Sequence, residues 1–391
     1  PQSPIPMKLL IITTLPQTLR AFFLPFADYF RARGWRVDAM AYRVTNDVEC
    51  LQTFDRVWDV DFARNPLNPR NLLIAPAQIR QVIAKEKYDI VHVHIAVPAF
   101  VTRYALKDVR KEGTPKIIYT SHGLNFYRGG ESIQNAIFLA LEKLAGRWTD
   151  YLVAINHEDE EAAKQYHIVP PERVRYMPGI GVDLQQYNVN AVASDGILQV
   201  RQEMGLTAET QLLLCIAEFI PRKRHQDLLR AFAEVARPNS CLALAGDGPL
   251  KAQMQQLAEE LGISTQVRFL GFRRDIATLI GSAIATILVS EQEGLPRSIM
   301  ESLCMQVPAI GSDIRGIRDL LENGCGLLVQ LGDIAELANA IAYILDHPQE
   351  AKAMGKRGWE IMANYDLQHI LQLHESLYAE ALNQVNYPVY V

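Results

Sequence analysis

The sequence predicts an α/β protein of two domains, each a parallel sheet covered by helices, facing each other across a cleft. Three observations carry this. Short apolar runs alternate with helix-patterned stretches from residue 8 to about 182. The same alternation restarts near residue 212, beyond a loosely patterned stretch at 184–196 that reads as the junction. The length, 391 residues, exceeds what one core usually serves.

The elements follow in order. Leu9–Thr13 is a short apolar strand, and Thr14–Thr18 a polar turn. Residues 19–33 carry the spacing of a packed helix, which Gly34 stops. Arg36–Met40 is a second strand, closing a Rossmann-like strand–helix–strand unit without the glycine-rich dinucleotide fingerprint. Next come a helix over 71–85, a strand over 90–94, a helix over 98–110 and a strand over 116–120. A helix over 131–147 and a strand over 151–154 follow, and Val174–Met177 leads into Pro178–Asp183, where the first alternation ends. The second has strands over 212–216, 242–245, 267–270, 284–289 and 307–310. Its helices span 224–236, 251–261 and 295–305, the last with Pro296 in its first turn. Helices near 334–347, 351–362 and 367–385 end the chain.

Composition narrows the class. With 39 basic and 44 acidic residues, a net charge of -5 gives no global attraction for nucleic acid. Five scattered cysteines, with no Cys-x-x-Cys pair, argue against a disulfide framework or structural zinc and fit a reducing compartment. Residues 1–6 lack the features of a signal peptide, and no apolar run reaches membrane-spanning length.

The segment Ser290–Glu301 carries the most chemistry. It leaves a buried strand and opens a helix, with Glu293 in the loop and Glu301 eight residues on. Carboxylates accept hydrogen bonds from sugar and ribose hydroxyls. Amides at a helix start receive phosphate oxygens. A nucleotide sugar needs both together; the plainer reading is two glutamates favouring a helix start and its solvent face. Arg222-Lys223-Arg224-His225 could counter a diphosphate or be a solvated charge run. His122-Gly123 follows a strand and suits a sugar hydroxyl, although a lone histidine is a weak signal. Gly246-Asp247-Gly248-Pro249 approaches a nucleotide base or simply turns the chain, and the turn is favoured. His92-Val93-His94 is read as alternating faces of its strand, so that the two rings share no metal; one packs and the other, His94, faces the cleft. No metal motif is present.

On these residues the chain resembles the retaining GT-B glycosyltransferases of family 4, particularly bacterial enzymes of exopolysaccharide, capsule and lipopolysaccharide assembly. The resemblance runs from about Lys8 to the carboxy terminus and is strongest at Glu293–Glu301, which fits the family's Glu-x7-Glu signature. Supporting matches are Ser121-His122-Gly123, Gly181-Val182-Asp183, Lys223, Gly246–Pro249, Gly271-Phe272-Arg273 and Asp313-Ile314-Arg315-Gly316. The resemblance implies a GT-B fold whose last helix crosses back to the first domain. It divides the chain into an acceptor domain, 7–188, a nucleotide-sugar domain, 189–366, and a returning helix and tail, 367–391.

It also implies roles. Glu293 contacts the transferred sugar, Lys223 stabilises the leaving diphosphate, and His122 lies near the reaction centre. Glu301 binds the ribose. Arg222, Arg224, Gly248, Phe272, Arg273, Gly294, Leu295 and Pro296 complete the donor pocket. Thr14, Thr18, His94 and Asn125 are acceptor-side candidates. The sequence departs from the family where Glu218 stands in place of a frequent arginine, where Ile284 replaces an aspartate, and where the first loop lacks paired glycines. Either Arg222 or Arg224 is then expected to supply the missing charge, or Lys223 to carry more of it.

The implied reaction is a metal-independent, retaining transfer of a hexosyl or N-acetylhexosaminyl group, with no cofactor. The donor is a UDP-sugar in preference to a GDP-sugar. The acceptor is a saccharide or a polyprenyl-diphosphate-linked saccharide, at the cytoplasmic face of the cell membrane. Peripheral membrane contact would then fall on Phe22, Phe23, Phe26 and Tyr29, or on Phe126, Tyr127 and Arg128, although the first group reads better as the core face of a helix. Two other classes share the architecture, a sugar-nucleotide epimerase and a sugar-nucleotide-binding regulatory protein. A donor screen with and without acceptors separates them.

Overall fold

The computed structural model describes residues 7–63, 68–109, 113–127 and 129–383. By contacts the chain divides into two compact units, one of residues up to 180 and from 370 onward, the other of residues 181–369. The amino-terminal unit is built on seven strands: β1 (Lys8–Ile12), β2 (Arg36–Ala41), β3 (Arg56–Asp59), β4 (Ile90–His94), β5 (Lys116–Ser121), β6 (Tyr151–Ala154) and β7 (Val174–Tyr176). Their order is β3-β2-β1-β4-β5-β6-β7, with every pairing parallel. The second unit has β8 (Gln211–Ile216), β9 (Ser240–Ala245), β10 (Val267–Gly271), β11 (Ala285–Leu288), β12 (Ala309–Ser312) and β13 (Gly326–Val329). They lie in the order β10-β9-β8-β11-β12-β13, again all parallel.

Helices cover both faces of each sheet, so the central strands are buried on both sides and read as continuous apolar runs such as Leu9–Ile12 and Leu212–Leu214. Each sheet reverses its strand order once, between β1 and β4 and between β8 and β11. Loops leaving the carboxyl ends of those strands are where doubly wound sheets bind ligands.

The first helix differs from expectation. Two helices, Pro16–Phe22 and Leu24–Ala32, replace the single one over 19–33. Pro25 is tolerated because it sits in the first turn of the second, where its missing amide costs no helical bond. Phe23, Phe26 and Phe30 point into the core, as does Phe126, while Tyr29 donates to Glu375 at 2.7 Å. These aromatics are therefore packing residues and not a membrane face; Arg128 lies outside the described residues. The last helix, Leu367–Ala381, buries Ile370, His374 and Tyr378 in the amino-terminal unit, where Tyr378 packs on Phe30 and Trp35. No helix among the described residues is long and apolar enough to cross a membrane.

Candidate active site

In the carboxy-terminal unit, the loops after β8 and β11 flank the switch point and are tied together. Glu291 N donates to Arg222 O at 2.8 Å, and Arg222 Nη1 to Gln292 O at 2.9 Å. Arg224 Nη1 reaches Glu291 Oε1 at 2.8 Å and is also held by Asp227. At the centre, Lys223 Nζ donates to Glu293 Oε1, with both side chains largely buried. Arg222 Nη1 lies 3.7 Å from the same carboxylate oxygen. The residues expected at the diphosphate and at the sugar thus touch one another. Arg224 is committed to two carboxylates, and Arg222 is the cation beside the pair.

Glu301 lies in the helix Arg297–Cys304, which Pro296 precedes at the N-cap. The expected helix began two residues earlier. The carboxylate is buried, 2.8 Å from Arg297 Nε, and hydrogen-bonded to Tyr187. Burial raises its pKa above the ordinary range, against the pull of Arg297 and Tyr187. The Glu293 loop owes its path to a distant glycine. A Cβ on Gly316, at φ +74°, would lie 2.0 Å from Gly294 O.

Two donor-side candidates stand differently from expectation. Arg273 is engaged by Glu203 and Asp275, at 2.5 and 2.6 Å, and is no free phosphate ligand. Gly248, at φ +151°, serves the protein's own backbone, because a Cβ there would meet Phe219 O at 2.7 Å. Phe272 projects its ring into solvent. Leu295, partly buried, packs against the core and adjoins Gly294 in the loop.

In the amino-terminal unit, Thr14 follows β1, and its carbonyl accepts from Tyr42 N at 3.0 Å. Thr18 lies in the first turn of the Pro16–Phe22 helix and not in a turn. His94 ends β4, and His122 follows β5. Their Nδ1 and Nε2 atoms lie 3.1 Å apart. His92 and His94 do not alternate faces. Residues two apart on a strand share a face, and the two rings pack with centroids 4.1 Å apart. His92 bonds Tyr378 OH at 2.6 Å and Thr120 Oγ1 at 2.7 Å, which anchors it as a packing residue.

Burial lowers the pKa of His92 and His94 well below the usual value and that of His122 to about 4, so all three are neutral near pH 7. Two neutral imidazoles share one proton. His94 Nε2 is buried without a hydrogen-bond partner. A buried bare lone pair is cheaper than a buried bare N–H. The His94 proton is therefore assigned to Nδ1, donating to His122 Nε2, and His122 carries its own on Nδ1. Asn125 lies three residues on, in a loop fixed where Leu124 N donates to Asp159 Oδ2 at 2.9 Å. Ile95, just past His94, has φ +70°, an outlier for a β-branched residue.

Among the described residues, no group of three or more His, Cys, Asp or Glu side chains is placed to hold a metal ion. Sequence reasoning missed Tyr187, Glu291 and Arg297. Arg297 was legible as the residue four before Glu301; Tyr187 was not.

Two Rossmann-like units, each built on one parallel sheet, of seven and of six strands, are the two units of a GT-B fold. The family model "Glycosyltransferase Family 4" matches residues 22–186, and "Glycosyl transferases group 1" matches 198–360. The chain belongs to this glycosyltransferase family. It is 32% identical to EpsD of Bacillus subtilis, over 90% of this chain and 91% of that protein. It is 28% identical to the UDP-Gal:alpha-D-GlcNAc-diphosphoundecaprenol alpha-1,3-galactosyltransferase of Escherichia coli, over 68% of each chain. Among solved structures it resembles HepE of Anabaena in complex with UDP and glucose, with a TM-score of 0.79 at 21% identity, over 96% of this chain and 100% of that one.

Proposed function

We propose that the chain is a retaining glycosyltransferase that moves a sugar from a UDP-sugar to a saccharide carried on polyprenyl diphosphate, at the cytoplasmic face of the membrane, in cell-surface polysaccharide synthesis. One observation carries this reading: the Lys223–Glu293 pair and the buried Glu301 stand on adjoining segments at the switch point of the second sheet.

Glu301 accepts from the ribose hydroxyls. Lys223 and Arg222 take the charge that develops on the diphosphate, helped by the helix start after Pro296. Arg222 replaces the arginine whose place Glu218 holds, because Arg224 is already paired. Phe272 offers an exposed ring to the base. Glu293 holds a hydroxyl of the transferred sugar and keeps Lys223 charged and in place. In the amino-terminal unit His122 donates through Nδ1 to a sugar hydroxyl, with His94 fixing its tautomer. The bond from the anomeric carbon to the phosphate oxygen breaks. The acceptor hydroxyl attacks on the same face, and its proton passes to the departing phosphate oxygen.

The uracil nucleotide is supported by HepE, solved with UDP and glucose, and the lipid-linked acceptor by the name of the Escherichia coli relative. The test is a donor screen by mass spectrometry with and without undecaprenyl-diphosphate-linked GlcNAc, followed by NMR of the product's anomeric proton. Transfer with retained configuration is expected. Inversion rejects the mechanism, and donor turnover without an acceptor favours an epimerase.

A further inference from the structure

We infer that Tyr187 is a positioning residue of the nucleotide site: the turn after Gly181 seats its hydroxyl against Glu301 and, with Arg297, aims that carboxylate at the ribose. The inference rests on the reading that Glu301 receives the ribose hydroxyls.

Gly181-Val182-Asp183, to which the proposed reaction gives no task, opens that turn. Asp183 Oδ1 accepts from Gln185 N at 2.8 Å and from Gln186 N at 3.1 Å, and Asp183 O accepts from Tyr187 N at 2.9 Å. An aspartate that takes the amides two and three residues on closes a tight turn and sets the path of the chain beyond it. Residues 365–367 hold the same turn from outside. Val182 N donates to Tyr365 O at 2.9 Å, Leu367 N donates to Val182 O at 3.0 Å, and Val182 bridges Asp366 in parallel. Tyr187 therefore enters the core from a backbone tied at several points.

The ring is 5% exposed and lies in one core with Met300 and Cys304, which flank Glu301 on its helix. A buried phenol must find an acceptor for its O–H. It finds Glu301, itself buried. Arg297 Nε holds Oε1 of the same carboxylate at 2.8 Å from the first turn of the helix. A carboxylate offers about four acceptor sites, so these two holds fix its plane and leave sites over for ribose hydroxyls. Burial favours the neutral carboxyl, and the phenol and the guanidinium oppose it, so the groups that aim Glu301 also keep it an acceptor. A phenylalanine would fill the same core space and leave the buried carboxylate short of a donor.

The experiment is calorimetric titration of the full chain with UDP and with 2′,3′-dideoxy-UDP, which lacks both ribose hydroxyls. The wild-type chain is expected to bind UDP at least about tenfold more tightly of the two. Tyr187→Phe should weaken UDP roughly three- to tenfold and leave dideoxy-UDP within about twofold. In a Glu301→Ala background the same substitution should move neither Kd by more than about twofold, because the group it acts through is gone. If Tyr187→Phe does not fold, Tyr187→Met, which fills the space flexibly, is read the same way. Equal losses for both nucleotides would make Tyr187 a structural residue, and an undiminished loss in the Glu301→Ala background would make it a direct contact. Either result overturns the proposal, as does unchanged UDP affinity in Tyr187→Phe. Glu301→Ala alone separates the readings. If it abolishes the preference for UDP while Tyr187→Phe keeps that preference whole, only the positioning role fails. If Glu301→Ala keeps the preference, the ribose contact fails and takes the positioning role with it. A wild-type chain that binds no UDP sinks the UDP-sugar reading and this inference together.

Discussion

Replacing Glu301 by Gln should weaken the nucleotide site without weakening the fold. Glu301 is buried, and burial raises its pKa against the opposing pull of Arg297 and Tyr187. A carboxyl whose folded pKa exceeds its unfolded value favours the fold below the unfolded value, near pH 4. That contribution is lost as pH rises through the folded value, so at pH 7 the charge is a net burden. Gln keeps the shape and still accepts from Tyr187 OH. Arg297, about a third exposed, finds water in place of the carboxylate. Stability at pH 7 should therefore stay level or rise by up to about 1 kcal/mol. That is an increase of about 2 to 4 °C in the melting temperature for a unit of this size. The nucleotide loses a charged acceptor, worth about 1.5–3 kcal/mol, or roughly 10- to 150-fold in Kd for free UDP. Calorimetric titration and a thermal melt on the same sample read both. A melting temperature lowered by more than about 4 °C with UDP affinity intact would make Glu301 a structural residue and remove the ribose contact.

Other outcomes follow from the same geometry. Glu293→Gln should leave free-UDP affinity within about twofold while transfer at saturating donor falls by at least roughly a hundredfold, because its partners are Lys223 and the sugar; equal losses of both would refute the division of roles. Gly316→Ala should cost more stability than Gly324→Ala, by about 1–3 kcal/mol in urea unfolding. Both glycines have φ +74°, but only at 316 would the new Cβ strike backbone, 2.0 Å from Gly294 O. Acid should loosen the amino-terminal unit. Burial lowers His122 and His374 to about 4, with His92 and His94 shifted the same way. The unfolded chain then binds more protons between about pH 6.5 and 4, and stability falls as pH falls through that window. At pH 5 each ring with a pKa near 4 contributes a loss of about 2 kcal/mol. A urea midpoint unchanged between pH 7 and 5 would refute this.

Much of this protein was determined locally and so was legible in the chain. Apolar runs such as Leu9–Ile12 and Leu242–Ala245 announce strands buried on both faces, and their alternation with helices announces parallel sheets. The spacing of Glu293 and Glu301 around a helix start marked the donor segment. The shared face of His92 and His94 was also legible, since a strand has period two, and reading them as alternating was an error of geometry.

The edge strands β3 and β13 were not legible. They are short and incompletely buried, and β3 begins and ends on charged residues, so neither shows a buried strand's pattern. Nor was the fate of the charges. Arg222, Arg224 and Arg273 look alike in sequence, yet Arg224 and Arg273 are bound by carboxylates at remote positions and Arg222 stands beside Glu293. Lys223 meets Glu293 across 70 residues because β8 and β11 are neighbours in the sheet. The exposed stripe on Ser132–Gly146 has the spacing of a core face, and only the fold shows that nothing in the described residues covers it. Periodicity records whether a side chain avoids water, a property of one residue and its element. Which partner it meets depends on strand order, and that is settled only when distant segments pack.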